Sequence, residues 1–437
     1  MEKEKIVVGL DIGTTKICAI VGRKNEFGKL EVLGLGKAES EGVIKGIVTN
    51  IDKTVLAISK AIKEASDMSG IDIALVNVGI AGQHIKSSIH HGSITRSSND
   101  DEISVNDINR LTEDMYRIVI PPGSEIIHVM PQDYIVDYEE GIKDPVGMSG
   151  VKLEADFHVI TAQTSAINNI NKCVRRGGLE IDDLILEPLA SSLAVLSDEE
   201  KEAGVCLIDI GGGTTDIAIF HDNIIRHTAV IPFGGNILTN DIQSGLMVMY
   251  RQAEQLKTKF GKAIAEEASP NEIVSIPGIR NRPPKEISVK NLSNVIQARM
   301  EEIIEMVHTE IISSGFDGRL AGGIVITGGG SQLSCLKQLV EYMTGMDTRI
   351  GYPNEHLGKS KVESVKSPMY ATAVGLVLAG FRSIDNREDR YKEAKENSKS
   401  VSASKVKKHN PTTDFFSSII NKTKGLLIDD LDGKNEY

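Results

Sequence analysis

Short apolar segments enclose a glycine-rich stretch at two distant places in the chain. Near the middle, apolar runs at 205–208 and 217–220 lie on either side of the sequence DIGGGTTD. Near the start, apolar runs at 6–10 and 17–21 enclose the similar sequence DIGTTK. Each pattern predicts two strands joined by a glycine-rich loop, and the repetition predicts two related domains that each offer one loop to a shared ligand.

The remaining hydrophobic pattern alternates between helical and extended spacing, as expected for an α/β protein. Apolar residues predict a helix at 51–66 and a buried strand at 73–80. From residue 84 to about residue 160 the pattern changes and predicts an inserted α+β unit with a helix at 99–117. Further on, 289–314 has the spacing of a long amphipathic helix with an acidic face.

The residue types in the two glycine-rich loops suit a metal–phosphate group. Glycine lets backbone N–H groups approach an anion closely, and a carboxylate can hold a hydrated Mg²⁺ that neutralises phosphate. A tight turn also needs glycine for steric reasons, so one loop alone is weak evidence, and the repetition favours a ligand. The predicted ligand residues are Asp11, Gly13, Thr14, Thr15, Asp209, Gly211, Gly212, Gly213, Thr214 and Thr215, with Asp11 and Asp209 holding Mg²⁺ through water. Lys16 either neutralises a phosphate or is an exposed lysine at a hairpin end without such a role, and the family resemblance given below favours the phosphate role.

Composition limits the other classes of function. The chain has 437 residues, 40% of them hydrophobic, which is enough for two or more domains with their own cores. Its formal net charge of −12 and its lack of tryptophan argue against nucleic acid as a partner. The start, MEKEK, lacks a signal-peptide pattern, and no run reaches the roughly 18 apolar residues of a spanning helix. These features predict a cytoplasmic protein, in which four scattered cysteines stay reduced.

With these motifs in place, the chain resembles the actin-like ATPase superfamily and, within it, the FtsA family of bacterial cell-division proteins. Stretches similar to that family are EGVIKGIVTNID at 41–52, IIHVMPQDYIVD at 126–137 and DPVGMSGVKLEADFHVIT at 144–161. The resemblance covers about residues 5 to 382 and the tail. It implies an α/β, actin-like two-domain fold with a duplicated core around an interdomain nucleotide cleft for Mg·ATP, and an inserted α+β subdomain of the type called 1C.

The resemblance also implies roles for two acidic residues. Glu187 begins a run of small residues, 187–196, that predicts a close helix crossing, and in related chaperones a glutamate at this position lies near the attacking water. An acid at a helix N-terminus is also favoured by the helix dipole, so both interpretations stay open. Asp216 closes its loop and is either a second carboxylate near metal or water or a cap of the turn.

Two further motifs match nucleotide-binding positions, and the first, AEQLK, corresponds to the family motif that reaches the adenosine. Glu254 and Lys257 lie three residues apart in AEQLK, which is also the spacing of an ordinary ion pair on a helix surface. The stretch TGGGSQL at 327–333 is a third glycine-rich turn, expected to open a helix and to approach ribose or phosphate with Gly328, Gly329, Gly330 and Ser331.

The resemblance assigns the domains and the partners. The subdomain at 228–318 is expected to dock the C-terminal peptide of FtsZ, with Arg299 as a candidate contact, and the 1C unit to meet later division proteins and other copies of the chain. The predicted divisions are 1–83 and 161–202 for the first core, 84–160 for the inserted 1C unit, 203–227 and 319–382 for the second core, and 228–318 for subdomain 2B.

The composition changes after Phe381. The segment 383–411 is poor in large apolar residues and predicts a disordered linker. It leads to 412–431, which predicts an amphipathic helix that either binds a lipid surface or packs on its own domain. Its acidic end is unlike a strongly basic anchor. The predicted membrane contacts are Phe415, Phe416, Ile419, Ile420, Leu426 and Leu427.

Together these features predict an ATP-binding cytoskeletal protein that polymerises on the cytoplasmic face of the cell membrane and tethers FtsZ at the division site. ATP hydrolysis is expected to be weak at most. Two alternatives share the same core: a pilus-assembly ATPase homologue that binds a short cytoplasmic peptide, and a small-molecule kinase, which would need a substrate cleft with its own catalytic base.

Overall fold

The computed structural model describes residues 5–96, 102–278, 283–360 and 362–404. It forms two compact units that divide between Arg382 and Ser383. The strands are β1 Ile6–Ile12, β2 Lys16–Lys24, β3 Leu30–Glu39, β4 Val43–Ile44, β5 Ile47–Val48, β6 Leu75–Ile80, β7 Ile85–Thr95, β8 Ser124–Val136, β9 Glu139–Ile142, β10 Lys152–Gln163, β11 Glu180–Leu186, β12 Val205–Ile210, β13 Thr215–His221, β14 Ile224–Ile231, β15 Ile273–Ile276, β16 Lys285–Ser288, β17 Ile324–Thr327 and β18 Thr348–Ile350. The α-helices are α1 Ile51–Ser69, α2 Val105–Met115, α3 Thr164–Arg176, α4 Glu187–Val195, α5 Asp198–Ala203, α6 Gly235–Gly245, α7 Tyr250–Phe260, α8 Val289–Ser313, α9 Leu336–Thr344 and α10 Ala371–Ser404.

The first unit contains two five-stranded sheets with the same arrangement. In the first lobe the order is β3-β2-β1-β6-β11, and in the second lobe it is β14-β13-β12-β17-β18. In both sheets three antiparallel strands continue into parallel ones. The predicted duplicated α/β core is therefore confirmed, and each lobe has a separate apolar core.

Each glycine-rich loop joins two paired strands, as predicted. In the first lobe β1 and β2 end on the pair Ile12 and Ile17, and in the second lobe β12 and β13 end on the pair Ile210 and Thr215. Residues on both faces of β12 are buried, which explains why its sequence is continuously apolar rather than alternating. The loops therefore lie at equivalent ends of the two sheets.

The inserted unit forms its own four-stranded sheet in the order β7-β10-β8-β9. Helix α2 packs on it around a small core that includes Leu111, Met115 and Phe157. The capping box of Ser104 and Asp107 fixes the start of α2 later than the predicted residue 99. The second lobe carries an insertion of its own, in which α6, α7 and the 25-residue helix α8 pack together and α8 contacts a two-stranded hairpin of β15 and β16.

Two helices cross at very short range beside the loops. A β-carbon on Gly375 of α10 would lie 1.8 Å from the carbonyl oxygen of Ala190 on α4. Only glycine permits this approach, so the predicted close crossing at 187–196 is confirmed.

The predicted linker is wrong over most of its length, because α10 continues through Ser404. The segment from Ser383 to Ser404 lacks glycine and proline and is rich in charged helix formers, which outweigh its low apolar content. The end of the predicted linker and the predicted membrane helix at 412–431 lie outside the described residues. Within the described ranges, no helix has the length and apolar character needed to cross a membrane.

Candidate functional site

The two glycine-rich hairpins face each other across a cleft between the lobes. A β-carbon on Gly212 would lie 2.4 Å from Cγ2 of Thr15, and one on Gly213 would lie 2.6 Å from Oγ1 of Thr14. The hydroxyl of Thr14 also accepts a hydrogen bond from the backbone N–H of Gly46 at 3.2 Å. The structure thus brings together the loops that the sequence places almost half the chain apart.

A cavity of about 110 Å³ lies between the hairpins. Four carboxylate side chains line it: Asp11, Glu187, Asp209 and Asp216. The other lining residues are Ile12, Gly13, Thr14, Thr15, Lys16, Gly46, Ala81, Gly211, Gly212, Gly213, Thr214, Gly328, Gly329, Met369 and Thr372. A small space with backbone amides on both sides and this many acids suits an anion that arrives with a cation.

Burial disfavours the ionised forms of all four acids, and neighbouring carboxylates add to this effect for Asp11, Glu187 and Asp216. Burial raises the pKa of Glu187 well above its usual range, and Asp11, Asp216 and Asp209 raise it further. Burial also raises the pKa of Asp216 to about 7, with a contribution from Asp209. One carboxylate oxygen of Asp216 accepts from Thr214 at 3.0 Å, while its Oδ1 is buried without a hydrogen-bond partner. A positive charge in the cavity would stabilise the ionised forms of these buried acids and so lower their pKa values.

The two loop aspartates have different partners. Asp209 accepts hydrogen bonds on Oδ2 from Ser191 at 2.6 Å and from Thr372 at 3.2 Å. Burial raises the pKa of Asp209, and these two donors act against that shift. By contrast, Asp11 lies 3.8 Å from Nζ of Lys16, and burial raises the pKa of Asp11 while the Lys16 charge opposes the rise.

The donor set fits a hydrated divalent cation. Among residues 5–96, 102–278, 283–360 and 362–404, no group of three or more His, Cys, Asp or Glu side chains is arranged to ligate a metal ion directly. Asp11 and Asp209 nevertheless line one cavity with an orphaned carboxylate oxygen of Asp216. Hard oxygen donors that leave room for water are the usual partners of Mg²⁺.

A larger cavity of about 450 Å³ adjoins the small one, since Thr15, Gly211, Gly212, Gly329 and Met369 line both. Its other lining residues are Ile210, Gly235, Asn236, Leu238, Glu254, Lys257, Thr258, Lys259, Gly261, Met300, Gly330, Gln332, Leu333 and Ser334. The mixture of apolar side chains and a few polar groups is typical of a site for a flat organic ring with polar edges.

A polar network on α7 borders the larger cavity. Lys257 Nζ lies 2.8 Å from Glu254 Oε2 and donates to the carbonyl oxygen of Gly235 and to the hydroxyl of Thr239, both at 2.8 Å. The Thr239 hydroxyl donates in turn to Glu254 Oε2 at 2.5 Å. Glu254 and Lys257 therefore form the predicted ion pair and also line the cavity, so the two interpretations are compatible.

The third glycine-rich turn passes directly behind the second hairpin. Gly328 has φ of 82°, and a β-carbon there would lie 2.3 Å from Asp209 Oδ1. The turn opens into a short 3₁₀ helix, Gly329–Gln332, and α9 begins only at Leu336. Gly328, Gly329 and Gly330 reach the cavities, whereas Ser331 is fully buried and donates to the carbonyl oxygen of Gly328.

Other predicted residues lie away from the cavities. The Thr215 hydroxyl is buried and donates to the carbonyl oxygen of Phe233 at 2.8 Å. Arg299, on α8, lines neither cavity and pairs with Asp241 at 2.6 Å and with Glu302. The predicted membrane contacts are Phe415, Phe416, Ile419, Ile420, Leu426 and Leu427, and all of them lie outside the described residues.

Sequence reasoning missed several contributors to the site. Ser191 and Thr372 hold Asp209, and Thr239 bridges the charged pair on α7. The only local signal for Ser191 was a hydroxyl inside the run of small residues at the predicted helix crossing, and no local signal was identified for Thr372. For Met369, which accepts from Lys16 Nζ at 2.5 Å through its carbonyl oxygen, the sequence carried no signal.

The fold is that of actin-like proteins. A solved PilM–PilN type IV pilus biogenesis complex matches with a TM-score of 0.61 at 16% identity, over 86% of this chain and 98% of that chain. MreB5 of Spiroplasma citri, solved bound to ADP, matches with a TM-score of 0.53 at 15% identity, over 88% and 98%. At these identities the likeness shows the fold and nothing more specific.

Sequence relatives identify the family. The cell division protein FtsA of Pseudomonas aeruginosa is 44% identical over 87% of this chain and 91% of the relative. The FtsA proteins of Neisseria meningitidis and Bacillus subtilis are 41% and 37% identical over 87% of this chain, covering 91% and 85% of the relatives. The family model described as "Cell division protein FtsA" matches residues 206–375, and that described as "SHS2 domain inserted in FTSA" matches 82–161, which is the inserted unit. The chain therefore belongs to the FtsA family of actin-like cell division proteins.

Proposed function

We propose that this chain binds Mg·ATP between its lobes, polymerises at the inner membrane and tethers FtsZ there during cell division. The main support for nucleotide binding is that two glycine-rich hairpins meet around a cavity lined by four carboxylates. Backbone amides and threonine hydroxyls on both sides suit phosphate, and the acids suit the cation that accompanies it. Solved MreB5 bound to ADP has a similar fold, which supports this assignment.

Each of the two adjoining cavities would hold a different part of the nucleotide. The phosphates would lie between the hairpins, with Mg²⁺ held through water by Asp11 and Asp209. The adenosine would occupy the larger cavity, whose volume of about 450 Å³ is adequate for a purine and a ribose, beside Glu254 and Lys257. When bound, Mg²⁺ would supply charge neutralisation for the phosphates.

Any hydrolysis would use Glu187 and Asp216, which both line the phosphate cavity. Burial and the neighbouring acids raise the pKa of Glu187 well above its usual range, and while protonated this carboxyl cannot accept the proton of water. That leaves Asp216, whose pKa is raised to about 7, as the carboxyl of the two that is partly ionised at neutral pH. Slow turnover is the expected result. Bound ATP would then act mainly as a bridge that holds the lobes closed in the form that assembles into filaments.

The remaining parts of the proposal concern surfaces away from the cleft. The 2B insertion around α8 would dock the C-terminal peptide of FtsZ, and the 1C unit would meet neighbouring copies and later division proteins. Arg299 is already paired with Asp241 and Glu302, so it would form an ion pair with the FtsZ peptide only if the peptide displaced one of these two acids. The segment 412–431 would hold the filament at the lipid surface, where many weak anchors act together.

Vesicle co-sedimentation with ATP and fluorescent FtsZ tests the whole proposal. The full chain should carry FtsZ to anionic vesicles, and a chain ended at Lys408 should leave FtsZ in solution. In the full chain, Ile419→Glu on the apolar side of the predicted helix should abolish pelleting, whereas the matched control Ser417→Glu should retain most of it. Binding of FtsZ without vesicle pelleting would refute the anchor alone, and no binding of FtsZ would refute the tether.

A further inference from the structure

Asp209 is held by two hydroxyl groups that come from outside its own hairpin. Ser191, on α4, donates to Oδ2 at 2.6 Å, and Thr372, on α10, donates to the same oxygen at 3.2 Å. The two hydroxyl oxygens are themselves 3.1 Å apart. Ser191 is fully buried, so this hydrogen bond is shielded from water.

The second oxygen of Asp209 stays available. No described side chain donates a hydrogen bond to Oδ1, and Gly328 leaves open the space beside it, which a β-carbon would fill to within 2.3 Å. The donors on Oδ2 are neutral, so they fix the orientation of the carboxylate without cancelling its charge. The charge of Lys16 lowers the pKa of both aspartates, but only Asp11 forms an ion pair with Lys16, whose ammonium lies 3.8 Å away.

Both hydroxyls lie at the close crossing of α4 and α10. Ser191 follows Ala190, whose carbonyl oxygen would meet a β-carbon on Gly375 at 1.8 Å. Thr372 lies one turn before Gly375 on α10. Any rotation of one lobe against the other that shifts this crossing would therefore also move the donors that orient Asp209.

From this geometry we infer that Ser191 and Thr372 are positioning residues for the divalent cation that accompanies the nucleotide. They hold Asp209 with Oδ1 toward the cation and link its orientation to the crossing of α4 and α10. The inference rests on the proposed nucleotide function. Removing the two hydroxyls should weaken the use of Mg²⁺ while leaving the nucleotide pocket intact.

The test is a Mg²⁺ titration of fluorescent ATP-analogue binding to the full chain, with parallel binding in EDTA. Ser191→Ala and Thr372→Val remove one hydroxyl each, and Thr372→Val preserves the shape of the side chain. Each should raise the Mg²⁺ concentration for half-maximal binding by about 10-fold, and the double variant by more, because supporting contacts of a metal ligand typically carry effects of this size. Binding in EDTA should not change for Ser191→Ala, since Ser191 lines neither cavity, and for Thr372→Val it should fall less than binding with Mg²⁺, since Thr372 itself lines the phosphate cavity.

Two further variants separate positioning from packing. Thr372→Ser keeps the hydroxyl and should restore the natural Mg²⁺ dependence. Thr54→Val removes a buried hydroxyl that donates to the carbonyl oxygen of Asn50, the cap of its own helix, and it should leave the titration unchanged. Melting temperatures of all variants show whether the fold is retained.

The outcomes are distinguishable. If the double variant has the natural Mg²⁺ dependence while the unaltered chain binds ATP, the inference is overturned and the proposed function survives. If binding falls equally with Mg²⁺ and with EDTA, and Thr372→Ser does not restore it, the hydroxyls serve packing alone and the inference is again overturned. If the unaltered chain binds no ATP at any Mg²⁺ concentration, both proposals fail.

Discussion

A β-carbon on Gly213 would lie 2.6 Å from the hydroxyl oxygen of Thr14, although these residues belong to different lobes. The same carbon would lie 3.0 Å from the Cα atom of Lys45, which is backbone and cannot rotate away. The lobes thus contact each other at Thr14 and Gly213, and the glycine has no side chain that would keep them apart. Glycine at this position is required by the closed cleft itself, in addition to any contact with a ligand.

The first prediction follows from this contact. Gly213→Ala should force the hairpins apart and weaken ATP binding by about 1–3 kcal/mol, the usual cost of overpacking, which is roughly 5- to 150-fold in affinity. The fold should survive, because opening the cleft relieves the clash. Equilibrium binding of a fluorescent ATP analogue measures the first effect and thermal melting the second.

Gly318→Ala is the matched control, since a β-carbon there would meet nothing within 4 Å. It should bind ATP as the unaltered chain does. Unchanged binding by Gly213→Ala would mean that the nucleotide-bound form is more open than this structure, and the proposed closed form would then be wrong.

The elements around this contact were predictable because their signals are local. Each hairpin lies within one short stretch of sequence, in which apolar strands flank a loop that contains glycines and an aspartate. Apolar spacing also predicted helix α1 at 51–66, and the structure has it at Ile51–Ser69, where Asn50 caps its start and Gly70 ends it in a left-handed conformation. Repetition of the hairpin then indicated two lobes before any contact between them was known.

The other contacts of the site could not be predicted from short stretches of sequence. Asp209 is oriented by Ser191 and Thr372, which lie 18 and 163 residues away along the chain, and nothing in a single sequence shows which hydroxyl meets which carboxylate. The error in the linker has a different origin. Low apolar content suggested disorder after Phe381, but the absence of glycine and proline lets α10 continue to Ser404.

A second prediction concerns the inserted unit, which rests on β14, the edge strand of the second lobe. Arg226 on β14 donates to Asp133 on β8 at 2.6 Å, and the buried Gln132 donates to the carbonyl oxygen of Ile225 at 2.9 Å. Arg226→Ala should lower the free energy of unfolding by about 2 kcal/mol, as expected for losing a hydrogen bond between charged groups of which one is largely buried. Urea denaturation measures the loss.

Arg117→Ala provides the comparison on the same unit. Arg117 and Asp114 form a pair on α2 with side chains 76% and 48% exposed, and solvent weakens such pairs. Its loss should cost less than about 0.5 kcal/mol. Equal effects of the two substitutions would show that the contact with β14 contributes no more than an exposed ion pair does.

The third prediction is a dependence of stability on pH at the same contact. His158 is buried on β10 with Nε2 3.2 Å from the Thr228 hydroxyl and with Nδ1 unpartnered. Burial, together with the nearby His227, lowers the pKa of His158 to about 4 from an ordinary value of 6.5. The unfolded chain therefore binds a proton between these pH values that the folded chain does not, so stability falls as pH drops from 6.5 to about 4.

The loss through His158 should reach about 3 kcal/mol below pH 4, because each pH unit between the unfolded and folded pKa values corresponds to about 1.36 kcal/mol. His158→Gln should flatten this part of the pH profile of unfolding free energy. His91→Gln is the control with the opposite sign, because hydrogen bonds to Asp156 and Glu154 raise the pKa of His91 and give it stability that is lost as pH rises through its folded value. Parallel profiles for His158→Gln and the unaltered chain would contradict the prediction.

The last prediction compares two acids that line the phosphate cavity. Burial and three neighbouring acids favour the protonated form of Glu187, which Gln imitates in shape and charge. Glu187→Gln should therefore keep Mg·ATP binding close to that of the unaltered chain and abolish whatever slow phosphate release it shows. Asp209→Asn instead removes a charge that neutral hydroxyls support, and it should cost about 2–5 kcal/mol of Mg²⁺-dependent binding. Binding by fluorescence and phosphate release by a colorimetric assay separate the two effects. If Glu187→Gln lost binding as severely as Asp209→Asn, Glu187 would be ionised in the nucleotide complex, and its role would be to hold the cation rather than to position water.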